Sequence, residues 1–160
     1  MTTPNLLDAV RIVKENERLA TQNYLEAAKN TDNPLGKTLF EELSKFEAYH
    51  YEKLTALEKS LAASGEFIDY QGREFPQPSV LEVKAAMEPN AKSLMTIINQ
   101  AIDLEKEAEK AYADLASLTE DQRGHDMFTQ LSEEEHKHFR LLTEAFWTLS
   151  NFGEWKYVRP

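Results

Sequence analysis

A set of residues recurs at a fixed offset of 88 positions, and three in each copy carry metal-binding side chains. Glu17, Ala20 and Tyr24 return as Glu105, Ala108 and Tyr112. Phe40, Leu43, Ser44, Glu47, His50, Leu54 and Thr55 return as Phe128, Leu131, Ser132, Glu135, His138, Leu142 and Thr143. Gly36 and Leu61 also return, as Gly124 and Leu149, so that 9 of the 27 positions from Leu35 to Leu61 are identical. Each half reads E-x2-A-x3-Y and then F-x2-L-S-x2-E-x2-H-x3-L-T. A lone E-x-x-H has little meaning in a Glu-rich chain. Here the flanking residues repeat with it, and each charged residue sits inside an apolar stripe at helical spacing. Burying unpaired carboxylates costs several kcal/mol each, so four together require protons or cations. Four carboxylates and two imidazoles in two equal sets suit a pair of transition-metal ions.

The stripes define four helices, expected at about 5–30, 34–63, 90–118 and 120–150. In order they are Leu6, Val10, Val13, Glu17, Ala20, Tyr24, Ala27; Phe40, Leu43, Glu47, His50, Leu54, Leu57, Leu61; Leu94, Ile98, Ala101, Glu105, Ala108, Tyr112, Leu115; and Phe128, Leu131, Glu135, His138, Leu142, Ala145, Leu149. Asn33 with Pro34 reads as the N-cap and first position of the second helix. Thr119 with Gln122 reads as a capping box for the fourth. The stretch 64–89 holds Gly65, Gly72, Pro76, Pro78 and Pro89 and reads as a connection, with room for a short helix at 80–87. A connection this long can run the length of a bundle. The expected fold is all-α: one domain over 1–150, a four-helix bundle made from a duplicated helix hairpin with one long crossover. Residues 151–160 form a tail. Alternation at 154–158 and at 67–70 fits either two short strands that pair with one another or an aromatic tail on the bundle surface.

The candidate metal ligands are Glu17, Glu47, His50, Glu105, Glu135 and His138. Tyr24 and Tyr112 lie two turns after the lone glutamates, on the same face, and are expected to hydrogen-bond ligand carboxylates. Glu133 and His136 form a competing E-x-x-H. Their own stripe is polar, and two residues are about 200° apart on a helix, so His136 and His138 face opposite ways. Glu133, Glu134 and His136 therefore read as solvated surface, as does His125, which aligns with Lys37.

The absence of cysteine excludes disulfides and thiolate-bound metals. The net charge of −10 argues against nucleic acid. With neither a membrane-length apolar run nor a signal-peptide pattern at the N-terminus, a soluble cytoplasmic protein is expected.

At these residues, from about Leu6 to Leu149, the chain resembles the rubrerythrin branch of the ferritin-like superfamily. The resemblance implies a di-iron centre in which Glu47 and Glu135 bridge both ions, Glu17 and His50 bind one, and Glu105 and His138 bind the other. It implies reduction of hydrogen peroxide or dioxygen with oxidation of Fe(II). Two departures qualify it. Full-length rubrerythrins carry a four-cysteine rubredoxin domain, whereas this sequence has no cysteine, so electrons are expected from an external donor, a rubredoxin-like protein or another reductant. Rubrerythrins commonly have a further glutamate ligand on the third helix, where this chain has Ala108; Glu109 points about 40° further round. The symmetric ligand set is closer to bacterioferritin-type centres. Ferritin-type ferroxidase or iron storage and delivery, dimanganese catalase chemistry and a non-enzymatic interaction bundle stay open. So do manganese or zinc as occupants and a homodimer or higher homo-oligomer.

Overall fold

The computed structural model describes residues 3–76 and 86–155. In chain order the elements are α1 (Thr3–Lys29), α2 (Pro34–Ser64), β1 (Ala86–Met87), α3 (Ala91–Leu118), α4 (Gln122–Phe152) and β2 (Glu154–Trp155). The four helices form a bundle in which α1 packs along α2 and α3 along α4, while α1 meets α3 only sparsely. Among the described residues no helix is long and apolar enough to cross a membrane.

The helix ends follow from local chemistry. Asn33 caps α2, its Oδ1 accepting from the Leu35 amide at 2.9 Å, and Pro34 occupies a position whose N–H would have no partner. α4 departs from the expected capping box. Its N-cap is Asp121, whose carboxylate accepts from the Arg123 and Gly124 amides, while Thr119 closes α3 and donates its hydroxyl to the Leu115 carbonyl at 2.6 Å. An aspartate both satisfies the free amides and complements the positive end of the helix dipole, so it displaces threonine. α2 and α4 each end on a glycine with positive φ, Gly65 at 73° and Gly153 at 65°.

These two glycines show that the duplication runs further than Leu61 and Leu149. Gly65-Glu66-Phe67 corresponds to Gly153-Glu154-Trp155 at the same offset of 88. Phe67, after α2, packs edge-on to Phe128 near the start of α4, with ring centroids 6.2 Å apart. Trp155, after α4, packs edge-on to Phe40 near the start of α2 at 5.8 Å. The repeated Gly36 and Gly124 make room for these rings: a Cβ on either would lie 2.5 Å from the Trp155 or Phe67 ring.

β2 pairs antiparallel with β1, Ala86 opposite Trp155 and Met87 opposite Glu154. Of the two alternatives, a strand at 67–70 does not form; that segment is irregular and is held by burial of Phe67. Of the stretch 80–87 that left room for a short helix, residues 86–87 are this strand and the rest lies outside the described residues.

Two apolar clusters fill the bundle. One gathers Tyr24 and Ala27 late in α1, Phe40 and Leu43 early in α2, Leu94 and Ile98 early in α3, and Leu142 and Leu149 late in α4. The other gathers Val10, Leu57, Leu61, Leu115 and Phe128 from the opposite helix ends. α3 therefore starts beside the end of α1, and the connection from α2 to α3 passes from one end of the bundle to the other. The charged residues form a belt between the two clusters.

Candidate metal centre

Glu17, Glu47, His50, Glu105, Glu135 and His138 are each at most 3 % exposed, and the bundle brings all six together. They form two overlapping groups: Glu17, Glu47, His50 and Glu135, and Glu47, Glu105, Glu135 and His138. Within each, one ligand atom per residue lies within 4.8 Å of all the others. Glu47 and Glu135 belong to both. Such a pair of groups can hold metal ions.

The pseudo-two-fold relation holds in the distances. His50 Nδ1 lies 2.8 Å from Glu135 and 3.6 Å from Glu17; His138 Nδ1 lies 3.0 Å from Glu47 and 3.7 Å from Glu105. Tyr24 on α1 donates to Glu105 on α3 at 2.5 Å, and Tyr112 on α3 donates to Glu17 on α1 at 2.6 Å. Both tyrosines thus hydrogen-bond candidate-ligand carboxylates, across the bundle rather than along their own helices. Even the repeated serines match: Ser44 donates to the Thr21 carbonyl and Ser132 to the Glu109 carbonyl, each at 2.9 Å, setting the spacing of each helix pair.

The donor atoms are poorly satisfied by protein alone. Among the described residues, every buried side-chain polar atom without a hydrogen-bond partner, Glu88 Oε1 apart, belongs to these six. His50 Nδ1 and Glu135 Oε1 are close but lack hydrogen-bond geometry, so both stay unpartnered. Buried polar groups are nearly always paired, and a cluster of orphaned carboxylate and imidazole atoms fits a cation between them.

Without a metal the cluster must hold protons. Burial, reinforced by Glu17 and Glu105, pushes the Glu47 carboxyl well above the usual range, and burial with the charges of Glu105 and Glu47 does the same to Glu135. Burial alone would also raise Glu17 and Glu105. The neighbouring Glu47 and Glu135 carboxyls, with the histidines and tyrosines, outweigh it and hold both low. Burial disfavours a charged His50, but Glu17 and Glu134 prevail and raise its pKa to about 10. The tyrosine hydroxyls, raised by burial and by Glu105 or Glu17, stay protonated and remain donors.

Glu134 is a correction to the sequence reading. It is 1 % exposed, lies 3.1 Å from His50 Nε2, and accepts from the Tyr70 hydroxyl at 2.5 Å and the Arg73 amide at 2.6 Å. A signal for it exists: Met127, Leu131, Glu134, His138, Leu141 and Ala145 share 3-4 spacing, a second buried stripe beside the first. Glu133 is exposed as expected. His136 is half-exposed and pairs with Glu109 at 3.0 Å, so neither is available to the centre. His125 is exposed, its Nδ1 2.8 Å from the Ala116 carbonyl.

The two sides of the centre differ. On the α2–α4 side, Phe75 of the connection stacks on Phe46 and meets His138 edge-on. On the α1–α3 side a cavity of about 480 Å³ descends to Glu17, Glu47, Glu105 and Glu135 between Ala20, Ala101 and Ala108, with Leu19 and Leu104 at its rim. No protein-family model, curated protein or solved structure matches this chain.

Proposed function

We propose that this chain is a rubrerythrin-like protein of the ferritin-like superfamily, a non-haem di-iron protein that reduces peroxide or dioxygen as Fe(II) is oxidised. The observation that carries the reading is the pair of buried four-residue groups sharing Glu47 and Glu135. On this reading Glu17 and His50 would hold one ion and Glu105 and His138 the other, with Glu47 and Glu135 shared between the two groups. Two iron ions held there would supply two electrons to one O–O bond.

The chain's own residues do the remaining work. Tyr24 and Tyr112 fix the orientation of Glu105 and Glu17 by charge-assisted hydrogen bonds. Glu47, Glu135 and His50 release the protons they hold in the metal-free fold. The cavity between α1 and α3 admits a small oxidant, and the alanines at 20, 101 and 108 keep it open. Ala108 in place of a further carboxylate leaves six protein ligands and room for an oxygen ligand.

Metal analysis of the protein from its native host, followed by stopped-flow mixing of the reduced, iron-loaded form with peroxide and with dioxygen, tests this. Oxidation by peroxide, halting after one cycle unless a donor such as reduced rubredoxin is supplied, is expected. Much faster oxidation by dioxygen would favour ferroxidase or storage, manganese as the native metal would favour catalase chemistry, and no reaction with either oxidant would refute the redox function.

A further inference from the structure

The two-fold relation fails at one position that touches the centre. Glu134 in the second half stands where the first half has Phe46. As a result the two histidines, alike on their Nδ1 sides, differ on their Nε2 sides. His50 Nε2 lies 3.1 Å from the Glu134 carboxylate, which Tyr70 and the Arg73 amide hold in place. His138 Nε2 is buried and has no partner among the described residues; its ring meets Phe46 edge-on at 4.4 Å and Phe75 at 6.2 Å.

An imidazole that offers its Nδ1 lone pair to a metal carries its proton on Nε2. A carboxylate accepting that N–H fixes the tautomer and ring orientation and makes the ligand nitrogen more basic. A buried N–H facing hydrocarbon has none of this support and bears the desolvation cost of an unmade hydrogen bond. We propose that Glu134 is a positioning residue that makes the two metal positions unequal. The Glu17–His50 position takes a divalent ion first and more tightly, and the Glu105–His138 position fills second and exchanges. Because Tyr70 and Arg73 belong to the connection after α2, occupancy of the first position is tied to the packing of that segment. The inference rests on the metal-centre reading but on no particular metal or reaction.

Anaerobic titration of the metal-free protein with Co(II), followed by its visible absorption, tests the order of filling. Two resolved steps are expected, about tenfold or more apart. His138→Ala should keep the tight step and lose the weak one; His50→Ala should lose the tight one. Glu134→Gln, nearly isosteric, should weaken the tight step about tenfold to a hundredfold and leave the weak one unchanged. Proton NMR of the one-equivalent Co(II) form adds a readout that packing alone would not move. A single shifted, slowly exchanging imidazole N–H is expected, and it should exchange faster in Glu134→Gln. Two equal steps, or a tight step that survives His50→Ala, would overturn the inference while leaving the metal centre intact. So would a Glu134→Gln variant with a lowered melting temperature but unchanged affinities and N–H exchange, since Glu134 would then only anchor the connection. No Co(II) uptake at all would overturn the metal-centre reading itself.

Discussion

Metal uptake by this chain should depend steeply on pH, because the sites that would receive the ions hold protons. In the metal-free fold burial disfavours a charged His50, yet Glu17 and Glu134 raise its pKa from 6.5 to about 10. At pH 7 that imidazole is almost fully protonated and must lose its proton to offer Nδ1. Each proton released makes apparent affinity rise tenfold per pH unit, about 1.4 kcal/mol. His50 alone gives a slope of about one, and Glu47 and Glu135, both pushed up, can only increase it. A histidine of ordinary pKa with ordinary carboxylates would release only about a quarter of a proton at pH 7. Competition for Mn(II) against a chelator of known proton affinity, from pH 6 to 8, measures the slope, and calorimetry in two buffers of different ionisation enthalpy counts the protons. The same shifts set the stability of the metal-free protein. The contribution of His50, raised in the fold, is fully present below pH 6.5 and is lost as pH rises through about 10. Glu47 and Glu135 have the same sign, favouring the fold below 4.5 and losing that as pH rises through their elevated values. Glu17 and Glu105, held low, have the opposite sign and matter only in acid. The metal-free melting temperature should therefore fall from pH 6 to 9 while that of the metal-loaded form changes little. An affinity independent of pH above 7 would refute the reasoning, since it would mean the buried cluster holds no protons.

His138→Ala should bring metal content to about one ion per chain or less, and His136→Ala, at a half-exposed surface pair, should leave it unchanged in elemental analysis. Gly36→Ala places a methyl 2.5 Å from the Trp155 ring and should cost about 1–3 kcal/mol in urea denaturation, with Gly124→Ala costing a similar amount against Phe67. Ala101→Leu should narrow the α1–α3 cavity and slow oxidation of the reduced protein severalfold in stopped flow, with metal content and melting temperature retained.

Much of the bundle was legible because its repeat and its helical stripes carry the same information twice. The six candidate ligands and the two tyrosines could be placed on buried faces from spacing, since a 3-4 stripe in a long helix has one buried side, and the Asn33 cap from the proline that follows it. What spacing could not place depends on contacts between distant segments. Strand β2 pairs with Ala86–Met87 because both flank the end of α4, where the Glu88 amide also bonds the Gly153 carbonyl, and no local pattern marks that partner. Gly65-Glu66-Phe67 and Gly153-Glu154-Trp155 were readable at the known offset, yet the change from Phe to Trp hid the equivalence of two rings that fill the same kind of gap. Glu134 was hidden by its neighbours. In a run of three glutamates only Glu135 matches the repeat, and the mark of Glu134 is the second buried stripe through Met127, Leu131 and Leu141.

The break in symmetry at Glu134 has a topological origin. Two identical helix hairpins would give a centre with two equal sides, but one chain needs a connection between them, and that connection has to lie somewhere. Here it lies over α2 and α4: Tyr49 donates to the Gln71 carbonyl, Arg73 sits over the Phe46 ring at 5.3 Å, and Phe75 covers His138. The backbone amide of Arg73 and the hydroxyl of Tyr70 need an acceptor in this buried place, and Glu134 supplies it. On the α1–α3 side no such segment passes among the described residues, and the carboxylates are reached through the cavity. The connection thus closes one face of the proposed centre, holds one histidine through a carboxylate, and leaves small-molecule access to the other face. On the proposed reading, a duplicated fold would acquire two unlike metal positions from a single linker, without any change in the candidate ligands themselves.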